Sequence, residues 1–320
     1  MNRYRDNPII TRDHIPASDV ALKDVSSVFN PGGICFEEKI LLLLRVQNRG
    51  RETFIMKAVS SDGKKFIVEP EPVNFSGIEN VNEKIYHLYD PRISKVDEDY
   101  IIMFAMDFDN CCRLGIAKTS DFNSYYFIGI TSGNDTRNGV LFPEKIDNHF
   151  VRLERPNTMI GKGGVKTGNS IILSVSENLV DWKGSEIVFE GRSHFWDEYI
   201  GPGTPPVKTK EGWLFLYHGV ATHFAGSNIY QAGAALLDLT DPSKLAARTR
   251  YNILEPRESY ELTGQVPNVV FPTAMIVKRI DRNGFAEPDS EVLIYYGAAD
   301  TSVCLATVTV SELIRKCYEE

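Results

Sequence analysis

The stretches FNPGGICFEEKILLLLRVQ (Phe29–Gln47) and YDPRISKVDEDYIIMFAMD (Tyr89–Asp107) share one plan. A proline near the start leads into a short apolar segment. An acidic turn follows, and a strongly apolar run closes the unit. The plan returns in LFPEKIDNHFVRLERP (Leu141–Pro156), in GTPPVKTKEGWLFLYHG (Gly203–Gly219), and in VFPTAMIVKRIDRNGF (Val270–Phe285) continued by EVLIYYGAAD (Glu291–Asp300). A polar turn between two apolar runs of strand length is a β-hairpin.

A second hairpin follows each of these segments. FIMKAVSSDGKKFIVEP begins at Phe54, RLGIAKTSDFNSYYFIGI at Arg113, SIILSVSENLVDWKGSEIVF at Ser170, QAGAALLDLTDPSKLAARTRYNIL at Gln231 and VCLATVTVSELIRKCYEE at Val303. A small-residue apolar strand runs into an Asp, Ser or Asn turn and then an outer strand. Four strands, repeated five times with a period of about 50 to 65 residues, predict an all-β, five-bladed β-propeller spanning residues 1–320 as one domain. Blades are expected to begin near Phe29, Tyr89, Asn138, Gly203 and Asn268. The last unit lacks its outer strand, and Ser311–Tyr318 reads as helix. The segment Asn7–Arg12 is the expected replacement strand that closes the ring.

Composition limits the function classes. The 320 residues are 42% hydrophobic and 24% charged, which suits a soluble globular protein. A formal charge of −8 without a Lys/Arg block argues against nucleic acid or an anionic membrane as partner. Apolar runs such as Ile40–Leu44 are too short to span a bilayer. The polar start Met1–Asp6 is not followed by an apolar h-region, so a cytoplasmic location is expected. The cysteines are Cys35, Cys111, Cys112, Cys304 and Cys317, with no CxxC pair; reduced thiols are expected, with Cys35 and Cys304 in the core. No HExxH, P-loop or serine elbow is present, so no metal and no cofactor is implied.

Propeller topology brings the starts of the inner strands and the ends of the following strands to one rim. That gathers Asn30, Arg45, Asp90, Arg92, Asp107, Arg137, Asn138, Arg155, His218 and Asp300. Arg45 and His218 each end a strongly apolar strand, where a charge or polar ring needs a partner or a ligand. Tyr89, Phe142, Trp196, Trp213, Tyr217 and Tyr230 are expected aromatic walls for sugar rings. Taken singly, each has a plainer reading: Arg92 pairing with a carboxylate inside its blade, Asp107 capping a turn, Asn138-Gly139 forming a turn, Trp213 packing. Two arginines with Asn and His suit an anion such as phosphate or carboxylate.

Read together, Tyr89-Asp90-Pro91-Arg92, Arg137-Asn138-Gly139-Val140-Leu141-Phe142-Pro143, Arg155-Pro156, Tyr217-His218-Gly219, Val266-Pro267-Asn268 and Tyr296-Gly297-Ala298-Ala299-Asp300 resemble glycoside hydrolase family 130. These are the inverting β-mannoside phosphorylases and β-1,2-mannosidases. The resemblance implies that Asp90 is the catalytic acid, acting through the mannose 3-hydroxyl while phosphate attacks the anomeric carbon to give α-mannose 1-phosphate. It implies that Arg137, Asn138, Arg155 and His218 bind phosphate, and that Asn30, Arg45 and Asp300 lie near the mannose, where the aromatic Tyr89 is a further expected substrate contact. The expected partners are a β-manno-oligosaccharide and phosphate, and homo-oligomers are common in the family. One departure stands out. Where the phosphorylases usually place Lys, nineteen residues before the His, this chain has Tyr199, beside Asp197 and Glu198. An inverting hydrolase needs a second carboxylate to activate water. Glu198, and more weakly Glu261, are the candidates, with Tyr199 as a substrate contact. A phosphorylase is the leading reading and the β-1,2-mannosidase the alternative; a silent sugar-binding propeller and a furanosidase-type hydrolase fit less well. Loops at 160–168 and 222–230 are expected to shape the acceptor side.

Overall fold

The computed structural model describes residues 1–17, 22–131, 135–161, 164, 166–223 and 226–319. Its strands form the blades of a five-bladed β-propeller. Blade 1 comprises Val25–Phe36, Lys39–Asn48, Thr53–Ser60 and Ile67–Pro72. Blade 2 comprises His87–Val96, Asp99–Asp107, Cys112–Thr119 and Tyr125–Ile130, with Phe75–Ser76 added in parallel at its edge. Blade 3 comprises Thr136–Leu141, Phe150–Pro156, Ser170–Ser176 and Trp182–Glu190, and blade 4 Tyr199–Pro202, Gly212–Ala221, Ile229–Leu237 and Leu245–Arg248. Blade 5 comprises Val270–Val277, Glu291–Ala298 and Ser302–Thr309. Each inner strand packs against the next blade, and that of blade 1 packs on blade 5, so the ring is closed.

The unbroken apolar run of each second strand has a direct cause. Alternate residues of a strand face opposite sides, and a blade is covered on both. Leu42 and Leu44 pack toward blade 5 with Ala274, Ile276 and Tyr295. Leu41 and Leu43 pack toward blade 2 with Ile93 and Phe104. The same holds in blade 4, where Phe215 and Tyr217 face blade 3 and Leu214 and Leu216 face blade 5. Each such leucine contributes roughly 1.5–3 kcal/mol of burial. The outer hairpins turn on one motif: Asp62, Asp121 and Asn178 each accept backbone N–H groups two and three residues on, and a Ser or Thr two residues earlier bonds the same carboxylate or amide.

The closing strand is Asn2–Arg3, not Asn7–Arg12. Asn2 pairs with Thr307 and Arg3 with Ala306, while of the later segment Ile10 bridges Val303. Arg3 explains the difference. Its guanidinium donates to both carboxylate oxygens of Glu261, at 2.8 and 2.9 Å, and to the Glu255 carbonyl. Glu261, fully buried on the short helix Ser259–Leu262, also accepts from the Tyr296 hydroxyl and from the backbone N–H of Arg257 and Glu258. It ties the closing strand down and is committed to that task, which corrects its reading as a base. The C-terminal stretch is a helix, Val310–Tyr318, capped by Thr309 and packed against blades 4 and 5. Cys304 is buried, but Cys35 is exposed at the far mouth of the channel, where the inner strand of blade 1 ends. Removing Arg3 would strand the fully buried Glu261 carboxylate, so Arg3→Ala should lower unfolding free energy by roughly 3 kcal/mol or more in a urea titration.

Candidate functional site

The inner strands of blades 1 to 3 share a local irregularity. Their pairing with the second strand shifts by one residue between Phe29 and Gly32, between Tyr89 and Arg92, and between Arg137 and Val140. Within each bulge the residues Asn30, Asp90 and Asn138 have left-handed backbones, with φ of 45°, 53° and 57°. Asn and Asp tolerate that region better than other side chains, and a bulge re-aims the side chain it carries. The Asn-Pro, Asp-Pro and Asn-Gly steps of the repeat are therefore what turns these polar side chains into the channel. Gly32 permits the close fit: a Cβ there would lie 2.6 Å from the Pro91 carbonyl oxygen.

The three side chains reach a cavity of about 410 Å³ at the channel mouth. It is lined by nine of the predicted site residues: Asn30, Arg45, Tyr89, Asp90, Arg137, Asn138, Arg155, His218 and Asp300. On one side, the Asp90 carboxylate accepts from Asn30 Nδ2 at 3.1 Å and Arg45 Nη1 at 3.0 Å. Arg45 is itself held between the rings of Phe29 and Tyr89, 4.5 and 4.4 Å from their centroids. Asp300, in the turn that follows Glu291–Ala298, is pushed up to about 6, chiefly by burial, with Arg45 opposing and Asp90 adding to the rise.

The opposite side is cationic. Arg137 donates to Asp107 at 3.4 Å, and Asp107 also accepts the Tyr89 hydroxyl at 2.8 Å. Arg155 is 8% exposed and donates to Asn157 at 3.0 Å. Burial, then the neighbouring Arg137, pulls its pKa down. His218 is fully buried beside Phe271, 4.5 Å between ring centroids. Its pKa lies well below the usual histidine range, through burial first and then Arg155 and Arg92, so the ring is neutral at neutral pH; the Pro202 backbone opposes this weakly. Gly201 pairs with His218 and makes room for it, since a Cβ there would stand 2.6 Å from the ring.

Among the described residues, buried polar atoms without a well-formed protein hydrogen bond collect around this cavity. They are both ring nitrogens of His218, Nε of Arg45, Arg137 and Arg155, Oδ1 of Asn30 and Asn138, and Nδ1 of His87. Buried polar groups are almost always satisfied, so this concentration points to a polar, anion-bearing ligand. Among the described residues no group of three or more His, Cys, Asp or Glu is placed to hold a metal. An open groove of about 760 Å³ adjoins the cavity at His87, Asp107 and Arg137 and continues past Tyr86, Asp109 and Lys166.

Several expected residues stand elsewhere. Neither Glu198 nor Tyr199 lines the cavity; Glu198 accepts from the Thr222 hydroxyl at 2.6 Å, and Tyr199 pairs with Val220, two residues beyond His218. Trp196 stacks on Tyr217 and donates to the Arg250 carbonyl, and Phe142 packs edge-on to Trp213, so these four aromatics are core and not sugar walls. Tyr89 and Tyr230 do line the cavity. Among the described residues Arg92 pairs with no carboxylate; it bonds backbone carbonyls. Gln47, Arg51 and His87 line the cavity without having been singled out, although Gln47 lies two residues beyond Arg45 on the same strand, Lys39–Asn48. Of the acceptor-side loops, residues 162, 163, 165, 224 and 225 lie outside the described residues.

The sequence matches glycoside hydrolase family 130, described as β-1,4-mannooligosaccharide phosphorylase, over residues 1–319. The chain belongs to that family. The beta-1,4-mannooligosaccharide phosphorylase of Ruminococcus albus is 31% identical over 319 residues, covering 98% of this chain and 89% of that protein. The 1,2-beta-oligomannan phosphorylase of a Thermoanaerobacter species is 32% identical over 324 residues, covering 98% of each. The structure of the beta-1,2-mannobiose phosphorylase from Listeria innocua, in complex with beta-1,2-mannobiose, superposes with a TM-score of 0.84 at 26% identity, over 100% of this chain and 99% of that one.

Asp300 offers a stability test of the site's electrostatics. With a folded pKa of about 6 against an ordinary 3.8, its ionisation weakens the folded state as pH rises through that window. Asp300→Asn removes this cost. Its melting temperature should match the parent's at about pH 4 and exceed it increasingly up to about pH 7.

Proposed function

We propose that this chain is an inverting β-mannoside phosphorylase that transfers a non-reducing β-mannosyl residue to phosphate, giving α-mannose 1-phosphate. The observation that carries this reading is a single cavity with the Asp90 carboxylate on one side and Arg137, Arg155, Asn138 and neutral His218 on the other, with Nε of both arginines, Oδ1 of Asn138 and the His218 ring nitrogens left without a well-formed hydrogen bond among the described residues. Planar guanidinium groups match the oxygens of a phosphate, and the neutral His218 ring adds one N–H donor. A phosphate held there supplies its own nucleophilic oxygen. The glycosidic C–O bond breaks as the new C–O bond to phosphate forms on the opposite face. The proton for the leaving oxygen comes from Asp90, relayed by the mannose 3-hydroxyl, and the resulting carboxylate keeps its two donors, Asn30 and Arg45. Asn30, Arg45, Tyr89 and Asp300 surround the mannose. No cofactor takes part.

The reaction needs one protein carboxylate, because the second substrate is already an anion. A hydrolase would need a further base for water. Glu198 is bonded to Thr222 outside the cavity lining, and Glu261 is held by Arg3. The leaving sugars extend along the groove past Tyr86 and Asp109 to Lys166, which the Asn110 carbonyl and Asp135 hold at 2.5 and 2.8 Å. No helix among the described residues is long and apolar enough to cross a membrane. The five cysteines are unpaired, as thiols in the reducing cytoplasm are, and we propose that location.

With β-1,2- and β-1,4-mannobiose as donors, turnover should require phosphate and release mannose 1-phosphate in the α form by NMR; mannose release indifferent to phosphate would overturn the reading. Asp90→Asn should lower kcat by about 10²- to 10⁴-fold, the usual range for loss of a general acid. Lys166→Ala should raise KM for a β-mannotriose by several-fold while KM for phosphate stays unchanged.

A further inference from the structure

Arg92 has no role in the reading above, yet it is the largest charged side chain fully enclosed at the channel, 2% exposed and, among the described residues, without a carboxylate partner. Burial pulls its pKa down to about 10, so it stays charged near neutral pH. Enclosing an unpaired cation is costly, and an apolar side chain would fill the same space without that penalty. What the guanidinium does is bind main chain. Nη1 donates to the carbonyls of Asp90 at 2.9 Å and Pro91 at 3.1 Å, and Nε donates to the Gly203 carbonyl at 2.6 Å.

Those partners lie on different blades. Asp90 and Pro91 form the left-handed bulge of blade 2. Gly203 follows Tyr199–Pro202, the inner strand of blade 4, whose Gly201 lies against His218. Blades 2 and 4 are not neighbours in the ring, so the bond crosses the channel. Arg92 lies outside the lining of the cavity, and the groove at the other mouth shares no residue with that lining. The guanidinium therefore spans the channel wall behind the site.

We propose that Arg92 is a positioning residue: a cross-channel clamp that fixes the Asp90 bulge relative to the strand carrying the His218 side of the site. The inference rests on the reading of Asp90 as the proton donor. Asp90 sits on a backbone that a strand would not adopt unaided, and the two N–H donors on the carbonyls of the bulge hold it there. The third bond sets the distance from acid to phosphate side. A displacement of about 1 Å at a reacting group can cost about 10²-fold in rate. Lysine carries charge but cannot present two fixed edges to carbonyls on opposite sides of the channel.

Arg92→Lys and Arg92→Gln, each in the full chain, test this beside Asp90→Asn. Rates are taken per folded molecule, with the folded fraction read from the amplitude of thermal unfolding, so a loss of stability does not imitate the effect. The expected result is a fall in kcat of at least 10-fold in both Arg92 variants. KM for inorganic phosphate should stay within 2-fold, and phosphate should raise the melting temperature by the same increment as in the parent. Parental kcat in either variant would overturn the proposal. So would a rise in phosphate KM matching the loss of rate, or loss of the phosphate-induced increment, since Arg92 would then be serving the anion site or the fold alone. Full activity in Asp90→Asn would instead sink the assignment of the acid. An inactive Asp90→Asn with parental Arg92 variants would sink only the clamp.

Discussion

The site depends on a backbone conformation that side chains with a Cβ adopt reluctantly. In blades 1, 2 and 3 one extra residue is inserted into the inner strand, and the residue that absorbs it is Asn30, Asp90 or Asn138, each left-handed. Without the bulge, strand alternation would send these side chains into the seams between blades, where leucines and aromatics pack. With it, they enter the channel. Asp90 meets Asn30 from the preceding blade and Arg45 from that blade's second strand because the same irregularity occurs in neighbouring blades.

Charge is then sorted within a small space. The chain is acidic overall, with a formal charge of −8, but the cavity gathers Arg45, Arg137 and Arg155. Part of that charge is matched by the protein, through Asp90 and Asp107. Among the described residues Arg155 donates to the amide oxygen of Asn157 and to no carboxylate, and its pKa is lowered by burial and by Arg137. An anion placed between Arg137 and Arg155 relieves their mutual repulsion, which is a physical reason for phosphate to bind in an acidic protein. His218 stays neutral for the same reason: buried among arginines, it gains nothing by protonation.

The ring that holds these residues at their separations is closed by contacts between distant parts of the chain. Arg3 and Glu261 join the N-terminal strand to the helix before blade 5, and Arg92 links blades 2 and 4 across the channel. These are buried or part-buried polar contacts, which depend on direction and fix position in a way that hydrophobic seams alone do not.

The sequence by itself determined the propeller, since hairpins with fixed turn chemistry recur along it and strands covered on both faces must read as unbroken apolar runs. It also determined which polar residues approach the channel, because Asn30, Asp90 and Asn138 occupy one repeat position and Arg45, Arg155 and His218 another. What it could not decide was the partner of a buried group. Glu261 reads like a free acid until folding brings Arg3 and Tyr296 to it, from 258 and 35 residues away. Trp196 and Tyr217 read like sugar platforms until they stack on one another inside the core. Glu198 and Tyr199 stand in sequence beside a strand of the site, and the pairing register places them past its edge. Repeat position follows from local periodicity, whereas the partner of a buried polar group is set by segments that meet only when the ring closes; tertiary structure alone decided those.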